Sequence, residues 1–182
     1  MTAMITSDTT VYAEALFMAA IESNATEAIY SDMNTALDAI RQAPEYINLI
    51  DTPALDREEK HGLIECAFGS AHELTINLIK LLSDKNSFYF FDKIARDFNK
   101  LYDEHNNIAR GEAISARPLT DDQMNTLTQK LQTQLNKRVI LTNTVDPEIL
   151  GGVRLNVESV QIDGSLRRRL CEVEKILKNT VI

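Results

Sequence analysis

Few residues of this chain are typed and spaced for chemistry. The three histidines are His61, His72 and His105. His61 and Glu65 stand one helical turn apart, with Cys66 beside them. An imidazole and a carboxylate at i, i+4 can share a metal ion. No second pair completes such a site, so the reading is surface helix residues and no metal. His105 follows Asp103 and Glu104 near a helix end, where a cation meets the negative end of the helix dipole. Ser165 lies beside Asp163, but no histidine is near and no nucleophile elbow surrounds it. A helix cap is the reading for that serine. Gly151-Gly152 lacks the GxxxxGK[ST] spacing of a phosphate loop and precedes a strand, where a phosphate loop precedes a helix. It reads as a bulge or a close backbone approach. Arg167, Arg168 and Arg169 at the start of a helix oppose its dipole. They call for phosphate, an acidic contact or simply solvent. Cys66 and Cys171 lie far apart and form no CxxC site and no disulfide framework, so a reduced, cytosolic setting is expected. No catalytic constellation and no cofactor site emerge.

Composition narrows the class. With 182 residues, 44% of them hydrophobic and 25% charged, the chain can bury a real core as one large domain or two small ones. No run approaches a membrane span, so direct membrane insertion is not expected. The first ten residues carry Asp8 and no Lys or Arg, which argues against a secretory signal. The net charge of −8 opposes nonspecific nucleic-acid binding. The charge is uneven: residues 1–108 hold 8 basic and 18 acidic residues, and residues 109–182 hold 11 and 9. That asymmetry suggests two parts with different partners, or an acidic surface that keeps the first part soluble.

The elements that position these residues follow from periodicity. Residues 9–23 read as a helix with Tyr12, Leu16 and Ala19 on one face and Val11, Ala15 and Met18 on the neighbouring one. Asn24 or Thr26 can cap a second helix striped by Ile29, Met33, Ala36, Leu37 and Ile40. Pro44 ends it, and a short apolar piece, Tyr46 to Ile50, follows. Asp56 with Glu59 forms a capping box for a helix that Gly69 stops. Ser70 with Glu73 repeats the device before a helix with Leu74, Leu78, Leu81 and Leu82 inside and Ile76 and Ile79 to the sides. Ser87 caps the longest helix, with Phe91, Ile94, Phe98, Leu101 and His105 in register. The pattern then changes. A weak strand at 109–117 precedes a helix capped by Thr120 and Gln123. Strands follow through Val139, Leu141 and Val145, through Val153, Leu155 and Val157, and through Val160 and Ile162. Glu158-Ser159 makes a tight hairpin tip. Asp163-Gly164-Ser165 turns into a last helix with Leu166, Leu170, Val173 and Leu177 on one face. The expectation is a mainly α protein with a smaller α/β part: an N-terminal six-helix bundle over 1–107, then a β-α-β-β-β-α domain over 108–182.

The stretch from Val145 to Leu170 reads VDPEILGGVRLNVESVQIDGSLRRRL. It resembles the C-terminal signature of the delta subunit family of F-type ATP synthases, related to the mitochondrial oligomycin-sensitivity-conferring protein. The signature residues are Gly151, Gly152, Ile162, Asp163, Gly164, Ser165, Arg167 and Arg169, after an acidic-aliphatic lead of Asp146 and Ile149. Tyr12 to Phe17, YAEALF, is similar to the family's opening YAxALF. Leu101 to His105 resembles the end of its sixth helix, and Pro118-Leu119-Thr120 with Gln123 resembles its PLSxxQ step. Two departures stand out. Glu158-Ser159 replaces the common Gly-Asp hairpin tip, which points to a longer or different turn. Arg168 stands where Gly is common.

The resemblance implies a non-catalytic stator subunit without cofactor or metal. It implies a peripheral place at the cytoplasmic face of a bacterial plasma membrane. In the family, the first and fifth helices form a groove for the N-terminal helix of an alpha subunit. Carried over, the groove falls to Tyr12, Ala15, Leu16, Ala19, Ile76, Ile79 and Lys80, with burial inside the bundle as the competing role of Leu16 and Ile79. The b subunits of the peripheral stalk would meet the last helix through Arg167, Arg168, Lys175 and Lys178. Rival readings are a free helical adaptor and a small ligand-binding protein outside the ATP synthase.

Overall fold

The computed structural model describes residues 2–43, 45–52, 55–158, 160–166 and 168. It is mainly helical with a small mixed sheet of four strands. Two compact units divide the chain, 1–102 and 103–182. The helices are α1 (Thr2–Glu22), α2 (Thr26–Gln42), α3 (Glu45–Ile50), α4 (Arg57–Phe68), α5 (Glu73–Asp84), α6 (Phe91–His105) and α7 (Asp121–Leu135). A 3₁₀ turn, Phe88–Phe90, precedes α6. The strands are β1 (Ile108–Ser115), β2 (Arg138–Val145), β3 (Val153–Val157) and β4 (Val160–Asp163). The expected last helix lies outside the described residues beyond its first turn.

Helix α1 starts seven residues before the expected position, because no Gly or Pro occurs before Pro44 to stop it. Its end corrects a second expectation. Asn24 does not cap α2; it closes α1 with φ of 52°. Ala25 N–H reaches the Ala20 carbonyl at 3.0 Å and Asn24 N–H the Ile21 carbonyl at 3.1 Å. That is a Schellman closure, with asparagine in the left-handed place that glycine usually takes. Helix α2 then begins after Ala25 without a side-chain cap. The same device recurs at Asn86 after α5, where Ser87 N–H bonds the Leu82 carbonyl at 2.8 Å. Asn107 and Asn136 follow α6 and α7 with φ of 50° and 52°. In a chain with six glycines, asparagine does most of the helix stopping.

The capping boxes at Asp56/Glu59 and Thr120/Gln123 form as expected. The one expected at Ser70/Glu73 does not. His72 opens α5, its Nδ1 accepting the Leu74 N–H at 3.2 Å. The cause is tertiary: Asp32 of α2 accepts the His72 N–H at 2.6 Å and holds that residue extended. Ser87 does not cap α6 either, since its hydroxyl donates to the Lys85 carbonyl at 3.0 Å. Asp51, after α3, instead takes the N–H groups of Phe88 and Tyr89 at 3.1 and 3.2 Å.

The core of the helical unit joins Ala13, Leu16 and Ala20 of α1 to Ile29, Met33 and Leu37 of α2 and to Phe91, Ile94 and Phe98 of α6. Helix α5 buries Leu78 and Leu82 as expected, but its inner face is rotated enough to take in Ile79 and leave Leu81 out. Thr75, Leu78, Ile79 and Leu82 are buried, while Leu81 is exposed. Tyr30 stacks on Tyr102 with ring centroids 4.2 Å apart.

In the second unit the sheet order is β2-β1-β3-β4. Strand β1 is central, parallel to β2 and antiparallel to β3. Helix α7 supplies the crossover that a parallel pair requires. It buries Leu131 against Ala109, Ala113, Val139, Leu155 and Val157. The β3–β4 hairpin is tight: Val157 pairs with Val160, and Glu158 takes φ of 48°. This is the tight tip read from Glu158-Ser159, and of the two alternatives raised by the departure from Gly-Asp the longer turn is absent. Glu158 is held at the tip by Lys137, whose Nζ lies 2.7 Å from its carboxylate.

Replacing Asn24 by Ala should cost about 1 kcal/mol, because alanine gains no local bond for a left-handed residue. Asn24→Gly should be neutral or slightly stabilising. Urea midpoints of the three proteins check this; equal midpoints for Ala and Gly would remove Asn24 from the account of how α1 ends.

Candidate functional site

Two surfaces collect the residues singled out by sequence. The first is on α1 and α5, which pack together in the helical unit. Ala13, Leu16 and Ala20 mark the inner face of α1. The opposite face carries Val11, 60% exposed, exposed Ala15, and Met18, 64% exposed. These fall at i, i+4, i+7 and make one apolar stripe. Tyr12 and Ala19 are half-buried along its border. The Tyr12 hydroxyl accepts a bond from Lys85 Nζ at 2.6 Å, and the ammonium lies 5.2 Å from the ring centroid. Tyrosine's polar tip is thus tied to the residue that ends α5, and its ring carries a cation–π contact.

The other expected groove residues separate. Leu16 and Ile79 belong to the core, at 7% and 0% exposure, so they support the surface from beneath. Lys80 turns toward α4 and pairs with Glu65 at 2.5 Å, holding that carboxyl below its usual range. Ile76, one turn before Lys80, is half-buried on the same flank. Sequence reasoning did not single out Lys85, which bonds Tyr12, and placed Leu81, which is exposed, inside. Val11 and Met18 were visible as the neighbouring face of α1, but helical spacing does not say which of two apolar faces turns inward.

The conceivable metal group has other employment. His61 Nε2 lies 2.9 Å from Asp84 Oδ1. Arg57 reaches the other oxygen of Asp84 at 2.6 Å. Burial raises the Asp84 pKa, but the bonds from His61 and Arg57 outweigh it and leave the carboxyl below its usual range. Among the described residues no cluster of His, Cys, Asp or Glu is arranged to hold a metal ion.

The second surface surrounds the signature in the α/β unit. Ser165 is buried, its N–H donates to Asp163 Oδ1 at 3.0 Å, and its Oγ accepts the Arg168 N–H at 3.3 Å. The serine is a helix cap, as its type suggested. Gly164 N–H bonds the Val153 carbonyl at 3.0 Å, and Leu166 N–H bonds the Gly151 carbonyl at 2.9 Å. Gly152 has φ of 86°, and a Cβ there would fall on the Gly164 carbonyl oxygen. The Gly-Gly pair is therefore a close backbone approach that lets the turn lie against the start of β3. Bonds from Ser165, through its hydroxyl first and its N–H second, lower the Asp163 pKa, with smaller help from Arg154 and Arg168 against a slight effect of burial. Arg168 is exposed. Arg167, Arg169, Lys175 and Lys178 lie outside the described residues, as does Cys171.

Together these features define a mainly helical, two-unit protein with an exposed apolar helix stripe on one unit and a glycine-locked turn on the other. The sequence profile of the ATP synthase delta (OSCP) subunit family matches residues 9–177. The ATP synthase subunit delta of Lactobacillus johnsonii is 35% identical over 170 residues, covering 92% of this chain and 93% of the relative. That of Clostridioides difficile is 31% identical over 172 residues, covering 93% and 95%. ATP synthase subunit 5, mitochondrial, of Saccharomyces cerevisiae is 28% identical over 177 residues, covering 93% and 84%. A chain of the Toxoplasma gondii mitochondrial ATP synthase hexamer shares the fold, with a TM-score of 0.70 at 22% identity over 93% of this chain and 96% of that one. The chain belongs to the ATP synthase delta (OSCP) subunit family.

Two outcomes follow for the signature. Gly152→Val should destabilise the α/β unit by at least about 2 kcal/mol, through left-handed strain and the clash with Gly164; loss of amide-exchange protection in β3 checks it. The Asp163 pKa is lowered on folding, so its contribution is present above the unfolded pKa and is lost as pH falls from about 4 through the folded value. Acid titration followed at the Ser165 amide should show that step in the native protein and not in Asp163→Asn.

Proposed function

We propose that this chain is a non-catalytic stator subunit of an F-type ATP synthase. It links the alpha/beta catalytic head to the peripheral stalk of b subunits, so that rotation couples ion flow to ATP synthesis. The observation that carries the reading is the family match across residues 9–177, in a chain aligned nearly end to end with delta subunits. In this reading helices α1–α6 are the N-terminal six-helix bundle, residues 1–107, and they dock on the head. Residues 108–182 form the stalk-facing domain. The protein sits peripherally at the cytoplasmic face of a bacterial plasma membrane. Among the described residues no helix is long and apolar enough to cross a membrane.

The docking mode is helix-in-groove recognition. The N-terminal helix of an alpha subunit lies along α1 and α5. Exposed Val11, Ala15 and Met18 supply apolar contacts, and Leu81 adds one from α5. Tyr12, pre-positioned by Lys85, supplies a rigid ring and a polar tip at the edge. Ala19 keeps the approach close. Leu16 and Ile79 set the groove floor, and Ile76 and Lys80 border its α4 side. Arg167, Arg168, Lys175 and Lys178 offer positive charge to the b subunits.

Calorimetric titration with a peptide of the first 20 or so residues of the cognate alpha subunit should give one-to-one binding with a negative heat-capacity change. Met18→Asp and Tyr12→Asp should each weaken it by roughly tenfold or more, with helical content unchanged. Undiminished affinity in both variants would reject the groove. No binding by the folded native chain would move the free-adaptor reading ahead.

A further inference from the structure

A polar cleft of about 460 Å³ opens on the helical unit between the first turn of α4 and the end of α5, lined by Leu55, Arg57, Lys60, Ser83, Asp84 and Asn86. Its chemistry is unusual for a unit so rich in acidic residues. Lys60 is only 6% exposed. A buried ammonium is costly unless it is paired. The bond its Nζ makes goes to the neutral Asn86 Oδ1, at 3.0 Å. The carboxylate lining the cleft is engaged elsewhere: Asp84 holds Arg57 at 2.6 Å and His61 at 2.9 Å. Two carboxylates at the start of α4, Asp56 and Glu59, are engaged in its capping box. Asp56 accepts the Glu59 N–H, and Glu59 accepts the Asp56 N–H, at 2.9 and 3.1 Å. Ser83 is fully buried, and its Oγ has no hydrogen-bond partner among the described residues.

We propose that this cleft binds a small oxyanion of phosphate size and charge, held by the Lys60 ammonium, with the Ser83 hydroxyl and the Arg57 guanidinium nitrogens other than the one bonded to Asp84 as further donors. The anion would give Lys60 the negative partner that Asp84 does not supply, and Ser83 the acceptor it lacks. Charge-assisted bonds from Lys and Arg are the strong class of hydrogen bond. Bound there, the anion would tie α4 to the end of α5. The proposal rests on the cleft alone and does not depend on the stator reading.

The oxyanion can be free phosphate or the phosphate group of a larger molecule, and the test separates them. The full chain is titrated calorimetrically with inorganic phosphate and, separately, with adenosine monophosphate, with potassium chloride holding the ionic strength constant. Saturable one-to-one binding is expected. Tighter binding of inorganic phosphate identifies the free ion as the ligand, and tighter binding of the monophosphate identifies a carried phosphate. Lys60→Met should weaken the preferred probe roughly tenfold or more, and Lys60→Arg should recover part of the loss. Ser83→Ala removes the hydroxyl without touching a charge, and should weaken the probe severalfold in a chain that keeps its helical circular dichroism. Absence of saturable binding for both probes, or undiminished affinity in folded Lys60→Met or in Ser83→Ala, overturns the proposal.

Discussion

Short helices carry a large share of their backbone polar groups at their ends, where no partner exists within the helix. In this chain everything else depends on how those groups are met. Four asparagines take the left-handed position after α1, α5, α6 and α7. The openings of α5 and of the turn before α6 are met across the fold, by His72 braced on Asp32 and by Asp51. Each solution fixes the direction in which the next element leaves. That direction decides which helix faces meet and which are left outside.

The faces left outside are the ones the proposed docking would use. Helix α1 is apolar on two sides, and packing on α2, α5 and α6 consumes one of them. Ala13 and Ala20 are fully buried in the core, and the stripe of Val11, Ala15 and Met18 remains exposed. Lys85 follows α5 immediately and reaches back to the Tyr12 hydroxyl. A stop signal and the proposed docking surface therefore share a few residues. A rigid surface loses less conformational entropy when a partner helix binds.

The α/β unit solves a related problem with glycine. Its central strand β1 pairs with β2 and β3, and the turn after β4 must fold back over the beginning of β3. Gly152 removes the side chain that would block that approach, and Asp163 and Ser165 satisfy the amide groups of the turn. The GG and IDGS segments are thus one structural unit split by a hairpin. Their co-occurrence in sequence has a packing cause.

Local chemistry was legible from residues alone. The capping boxes at Asp56 and Thr120 need only neighbours three residues apart, and the change from helical to alternating periodicity near residue 108 needs only local pattern. The Ser165 cap was readable for the same reason, and the resemblance carried by Gly151 to Ser165 gave the family. The asparagine stops were available too, as asparagines just past the periodic runs, but an asparagine serves equally as an N-cap, and Asn24 was offered with Thr26 as the cap of α2 when it closes α1. What sequence left open were contacts between distant residues. Asp32 with His72, Asp51 with Phe88, Lys85 with Tyr12 and the order β2-β1-β3-β4 each join positions that local pattern cannot relate. The same holds for Ile79, which periodicity placed to the side of α5 and packing placed in the core. By itself the sequence determined the types of most elements, the openings that local capping boxes make and the family to which the chain belongs, because those depend on near neighbours. Only the tertiary structure decided which apolar face of α1 is buried and which remains exposed, because that choice is made by helices that close on it from elsewhere in the chain.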